Sequence, residues 1–173
     1  MDEVKVWWAY LRRSMEPSVG AQVPDLTAKA YVPGARGPQT IALPADGGAW
    51  TALVFYPGDF SCVCPTELQG FAELQDEFAA EGATLLAAST DSYYAHKAWF
   101  ESNALLADVR YPVLADSAKQ LRRAFGTDRG TFLIDPQGVV RHVSTDLSPA
   151  ETLRTLRALR DWQPGVATLS VAA

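Results

Sequence analysis

Residues 50–78 read WTALVFYPGDFSCVCPTELQGFAELQDEF, and the order of their signals decides the fold. Trp50 to Tyr56 is a short, nearly continuous apolar run of the kind that forms a strand buried on both faces. Pro57-Gly58 breaks it. Phe71, Leu74, Gln75 and Phe78 then recur at helical spacing, and Gly82 stands where a helix of that length ends. A strand that feeds a helix through one short turn is the repeating joint of an α/β sheet, and both cysteines of the chain, Cys62 and Cys64, sit in that turn.

Working outward, the same alternation continues. Thr40 to Leu43 reads as a strand separated from Trp50 to Tyr56 by an Asp46-Gly47-Gly48 turn, and Thr84 to Ser89 as a strand after Gly82. Asp91-Ser92 caps a helix running to about Asn103, with His96 and Trp99 on one face. Tyr111 to Leu114 reads as a short strand and Ser117 to Phe125 as a short helix stopped by Gly126. Thr131 to Ile134 and Val139 to Val143 are strands joined by Asp135-Pro136-Gln137-Gly138, which carries Pro and Gly where a tight turn uses them. The last helix opens on Ser148-Pro149-Ala150-Glu151, a capping box with Pro at the first helical position, and turns Leu153, Leu156 and Leu159 inward. The expected class is α/β, a central sheet with helices on both faces.

Composition narrows the function. A chain of 173 residues buries roughly 70% of the surface its unfolded form exposes, so one core is expected, with residues 1–14 as an N-terminal extension, 15–162 as the domain and 163–173 as a C-terminal tail. A net charge of −5 gives no cationic footprint for a nucleic acid or an anionic membrane, and no apolar run reaches the roughly 20 residues of a spanning helix. MDEVKVWWAYLRRS lacks the apolar centre of a signal peptide, so the expected compartment is the cytoplasm. Two cysteines exclude a disulfide scaffold. Cys-x-Cys with two histidines is an unusual spacing for zinc, without a second pair to complete a site; neither metal nor cofactor is expected.

The chemistry is therefore sought at the thiols. A cysteine at a strand-to-helix junction meets unpaired N–H groups and the positive end of the helix dipole, which favour its thiolate, and Cys64 followed by Pro65 has that position. Thiolate alone does little. Lowering a thiol from about 8.5 to about 6 raises its thiolate fraction near neutrality about 30-fold, while a Brønsted slope of about 0.4–0.5 takes back about 10- to 18-fold. A fast site also needs donors for the transition-state charge, commonly worth about 100-fold or more each. Ser61, the Cys64 backbone N–H and a distant arginine are the candidates.

FYPGDFSCVCPTEL closely resembles the active-site signature of the peroxiredoxins, in particular the alkyl hydroperoxide reductase C or typical 2-Cys branch. The resemblance continues through DSYYAHKAW, YPVLADSAKQLRRAFG and DRGTFLIDPQGVVRHV, from about Met15 to Trp162. It implies a thioredoxin-like fold and a thiol-dependent peroxidase acting on hydrogen peroxide and organic hydroperoxides. Position by position it implies that Cys64 is the peroxidatic cysteine and that Ser61 hydrogen-bonds peroxide and thiolate. It further implies that Pro57 shields the cysteine, that Arg129 polarises the peroxide and stabilises the thiolate, and that Glu67 orients Arg129. A homodimer or ring of dimers is implied as well, with a thioredoxin-like protein or small thiol as reductant.

The chain departs from that branch in one respect: no cysteine follows Cys64, so the usual C-terminal resolving cysteine is missing. Cys62, where the family motif usually has an aromatic residue, has two readings. It is a small hydrophobe filling that space, the sulfenic acid then being reduced by an external thiol, or it is a local resolving cysteine, for which the turn must unwind because the Cβ vectors diverge. A disulfide between subunits and a redox-sensing or chaperone-like oligomer with weak turnover are the remaining alternatives. His96, Trp99, His142, Arg122 and Arg123 read as structural or solvated.

Overall fold

The computed structural model describes residues 18–45, 48–62 and 64–161. The extension at 1–14, the tail at 163–173 and Asp46-Gly47 of the expected turn lie outside the described residues. Seven strands form one mixed sheet: β1 (Leu26–Tyr31), β2 (Gln39–Leu43), β3 (Trp50–Phe55), β4 (Ala83–Ser89), β5 (Val113–Ala115), β6 (Gly130–Ile134) and β7 (Val140–Ser144), in the order β2-β1-β5-β4-β3-β6-β7. β3, β4 and β5 are parallel neighbours, and antiparallel strands flank them on both sides. Among the described residues five α-helices accompany them: α1 (Cys64–Glu73), α2 (Gln75–Ala80), α3 (Tyr93–Ser102), α4 (Gln120–Phe125) and α5 (Pro149–Asp161).

The apolar run of β3 is explained by burial on both sides. Ala52, Val54 and Tyr56 face one core with Leu68 and Phe71 of α1, Phe78 of α2, Trp99 and Phe100 of α3 and Leu156 of α5. Leu53 and Phe55, pointing the other way by strand alternation, face a second core with Leu86, Phe132, Leu121 and Phe125. The helices are unevenly shared: among the described residues α4 is the one α-helix in the second core, where Val23, Leu43 and Val140 help to close it. No helix among the described residues is long and apolar enough to cross a membrane.

Four elements differ from the sequence reading. β2 does not neighbour β3; it pairs antiparallel with β1, Leu26 opposite Leu43, and the chain crosses the sheet between β2 and β3. β1 itself carried a weak signal, since LTAKAY alternates small alanines with Thr27 and Lys29 and becomes a strand by pairing on both edges. The helix expected through Phe71 and Phe78 is two helices, separated where Leu74 leaves helical geometry at φ −103° and ψ 4°. α4 starts at Gln120 instead of Ser117, because the Asp116 carboxylate accepts the N–H groups of Leu121 and Arg122 at 3.0 and 2.7 Å and so caps the helix there.

Candidate active site

β3 delivers Tyr56 to the carboxyl edge of the parallel strands, where α/β sheets form their functional crevices, and residues 57–62 lead from there to α1. Cys64 opens α1. It faces inward with Leu68 and Phe71 and is only 3% exposed, whereas Cys62 is exposed. The Cys64 N–H donates to Ser61 Oγ at 3.3 Å, so Ser61 occupies one of the otherwise open donors of the first helical turn. The positive end of the helix dipole also faces the thiol end of α1.

Arg129 arrives from the far side of β3. Phe55 pairs with Gly130, which sets Arg129 level with the end of β3. Gly130 adopts φ 148°, and a Cβ there would lie 2.7 Å from the Ser144 carbonyl oxygen, so no larger residue fits beside Arg129 without moving β7. Thr127 Oγ1 braces the arginine backbone from both sides, accepting its N–H at 3.1 Å and donating to its carbonyl at 2.7 Å. The guanidinium forks onto Glu67, Nη1 to Oε2 at 3.1 Å and Nη2 to Oε1 at 2.5 Å. This bidentate bond is the largest of the causes that push the Arg129 pKa above its ordinary value; the charges of Glu67, Cys64 and Asp146 add to it. Arg129 is thus a fixed cation in electrostatic reach of Cys64.

Ser61, Cys64, Glu67 and Arg129 are therefore brought together, although 62 residues separate Glu67 from Arg129. Pro57 stands exposed at the start of the loop. Cys62, being exposed, does not fill an interior space. Arg122 pairs at the surface with Asp128 at 2.9 Å.

Beneath the loop is a polar cluster that the sequence reading passed over. Tyr56 Oη donates to Asp59 Oδ1 at 2.6 Å, His96 Nδ1 lies 2.8 Å from Asp59 Oδ2, and His96 Nε2 lies 3.2 Å from the Leu114 carbonyl oxygen. The Asp59 N–H donates to Asp91 Oδ2 at 2.8 Å, and Ser89 Oγ donates to the same oxygen at 2.8 Å. The available signal was topological. β3 and β4 are parallel neighbours, so the loop after β3 and the helix after β4 meet at one edge, and each carries a titratable residue.

Residues 19–143 match the AhpC/TSA family. A thioredoxin peroxidase of Echinococcus granulosus is 35% identical over 186 residues, covering 92% of this chain and 95% of the relative. Alkyl hydroperoxide reductase C of Escherichia coli is 32% identical over 148 residues, 71% of this chain and 79% of its own. Among solved structures, Enterococcus faecalis AhpC superposes with a TM-score of 0.77 at 29% identity, covering 82% of this chain and 92% of that one.

Proposed function

The chain belongs to the AhpC/TSA family, it is a peroxiredoxin with a thioredoxin-like fold, and on that footing we propose that Cys64 is the peroxidatic nucleophile for hydrogen peroxide and organic hydroperoxides. One observation carries the reading. A buried thiol opens a helix, a serine hydroxyl lies against its backbone, and an arginine locked by a carboxylate is held in reach of it. The Cys64 thiolate attacks one peroxide oxygen; the S–O bond forms as the O–O bond breaks, sulfur gives up two electrons, and the departing oxygen takes a proton to leave as water or an alcohol. Arg129 and the positive end of the α1 dipole stabilise the negative charge that moves onto that oxygen. Glu67 keeps the guanidinium aimed, and Pro57 and Ser61 shape the approach.

The sulfenic acid is then reduced by an external thiol, either small or on a thioredoxin-like protein. The contrast between buried Cys64 and exposed Cys62 favours a second reading, in which Cys62 is the first acceptor. Its thiol attacks the Cys64 sulfur, one S–S bond forms, and the sulfenic oxygen leaves as water with the thiol proton. The first turn of α1 unwinds to allow this, and one sulfur of the disulfide then lies where a reductant thiolate reaches it. We also propose a homodimer or ring of dimers, to be checked by light scattering of the reduced protein.

Mixing reduced protein with sub-stoichiometric peroxide tests the nucleophile. Cys64→Ser abolishes the rapid consumption and Cys62→Ser keeps it; full consumption by Cys64→Ser would mean that another group reacts. Intact mass after one equivalent of peroxide separates the second halves of the cycle. A gain of one oxygen indicates a one-cysteine cycle, a loss of two hydrogens a Cys62–Cys64 bond, and a doubled mass a bond between subunits.

A further inference from the structure

Arg129 stands one residue before β6, whose registers begin at Gly130 opposite Phe55 and at Thr131 opposite Ser144. Its backbone therefore precedes both ladders, and a guanidinium at the end of a long side chain inherits any tilt of the peptide groups that carry it. A single hydroxyl supplies the alignment. Thr127 Oγ1 accepts the Arg129 N–H at 3.1 Å and donates to the Arg129 carbonyl oxygen at 2.7 Å, so one side chain ties the peptide groups on both sides of the Arg129 Cα. Gly126 caps α4 at φ 67°, which leaves Thr127 and Asp128 as the two residues between the helix cap and the arginine. Asp128 turns outward to Arg122, both about half exposed, a pairing that water weakens; the half-buried Thr127 contact is the firmer of the two.

The other side of Arg129 is bounded as well. Gly130 lies so close to the Ser144 carbonyl that a Cβ would come within 2.7 Å of its oxygen. Ser144 repeats the motif of Thr127: its Oγ accepts the Asp146 N–H at 3.1 Å and donates to the Asp146 carbonyl oxygen at 3.3 Å, while Thr131 Oγ1 reaches the same oxygen at 3.4 Å. The strand end behind Gly130 is thus tied, and the Asp146 charge acts on Arg129 from there. The fork onto Glu67 does a different job. It keeps two side chains on each other, but each stem turns about its own Cα, so the pair has one place only where both backbones are fixed. α1 fixes the Glu67 backbone, and Thr127 fixes that of Arg129.

We propose that Thr127 is a positioning residue of the peroxide reaction, its hydroxyl setting the Arg129 backbone so that the guanidinium meets the peroxide oxygens in line with the Cys64 thiolate. This role rests on the reading of Cys64 as nucleophile and Arg129 as the cation that stabilises the departing oxygen. Thr127 takes no part in the bond changes; it acts through the arginine. Loss of the hydroxyl leaves the charge and the Glu67 fork in place and removes only the fixed origin of the arginine side chain.

A double-mutant cycle in the full chain tests it, with stopped-flow consumption of hydrogen peroxide by the reduced protein as the readout. Thr127→Val, which keeps the shape and removes the hydroxyl, should slow consumption about tenfold, short of the roughly 100-fold that a 1 Å misplacement of a reacting group costs. Thr127→Ser, which keeps the hydroxyl, should recover most of the rate. In an Arg129→Ala background Thr127→Val should change the rate less than about twofold, because the group it positions is gone. Thr127→Ala gives the same comparison without a branched side chain if the valine variant does not fold. A wild-type rate in folded Thr127→Val would overturn the role, as would an equal tenfold loss in the Arg129→Ala background or a loss as large in Thr127→Ser. Failure of the underlying reading shows separately, as consumption retained by Cys64→Ser or an undiminished rate in Arg129→Ala alone.

Discussion

Two clusters of carboxylates with nitrogen partners in this molecule use similar contacts in different surroundings. Asp59 and His96 meet with no exposed side-chain surface, while Arg157 and Arg160 of α5 reach Glu77 and Glu81 at the surface. Arg157 makes bonds of 2.7 and 2.8 Å to two carboxylates, geometry no worse than the 2.8 Å of the buried pair. Surroundings separate them: water and salt screen the outer cluster, whereas nothing replaces a missing partner in the inner one. The outer pairs decorate the junction between α2 and α5, and the inner pair dictates where a loop goes. Arg129 and Glu67 fall between, at 39% and 19% side-chain exposure, sheltered enough for a fixed geometry and open enough for a small substrate.

The contrast breaks most visibly at the buried end. His96→Ala leaves the buried Asp59 carboxyl without its ring partner and should cost about 1–3 kcal/mol in urea unfolding. A loss no larger than that of a surface variant would remove the distinction between the clusters. At the intermediate site, Arg129→Lys keeps the charge but loses the fork onto Glu67. It should slow peroxide consumption by about 100-fold while leaving the unfolding midpoint near wild type, measurable by stopped-flow beside a thermal melt. Equal rates would show that charge suffices without the fork. At the exposed end, Arg157→Ala should leave the thermal midpoint within error of wild type, and added salt should erase what difference exists.

The smallest effect sharpens the outer cluster by pH. The Arg157 hydrogen bond foremost, with Arg160, holds the Glu81 carboxyl below its ordinary value. A lowered carboxylate pKa adds stability above the unfolded value, and that addition disappears as pH falls through the folded one. Any melting difference between wild type and Glu81→Gln should therefore be present near neutrality and vanish below the usual carboxylate range. A difference that grew on acidification would mean that Glu81 acts other than as a paired anion.

Much of this was readable along the chain, because its signals are local. The double-sided burial of β3 shows in its apolar run, the N-cap of α3 in Ser92, whose Oγ accepts the Ala95 N–H at 3.2 Å, and the β6–β7 turn in Asp135 to Gly138. Cys64, Ser61, Glu67 and Arg129 were recognisable through the motif they resemble. β1 escaped because pairing on both edges, more than its own residues, makes it a strand. Asp59 escaped for a related reason: an aspartate in a Pro-Gly turn reads as a solvated turn residue, and only β3 and β4 lying side by side bring His96 over it.

By itself, then, the sequence determined that a thiol opens a helix a short loop after a buried strand, and that these 173 residues hold no cysteine after it. Those are properties of order and of backbone geometry, which neighbouring residues carry. The tertiary structure alone decided which of the two thiols is buried and which carboxylate meets a histidine away from water. Burial and dielectric are set by residues far apart in the chain, 37 positions in the case of Asp59 and His96, and no local pattern encodes them.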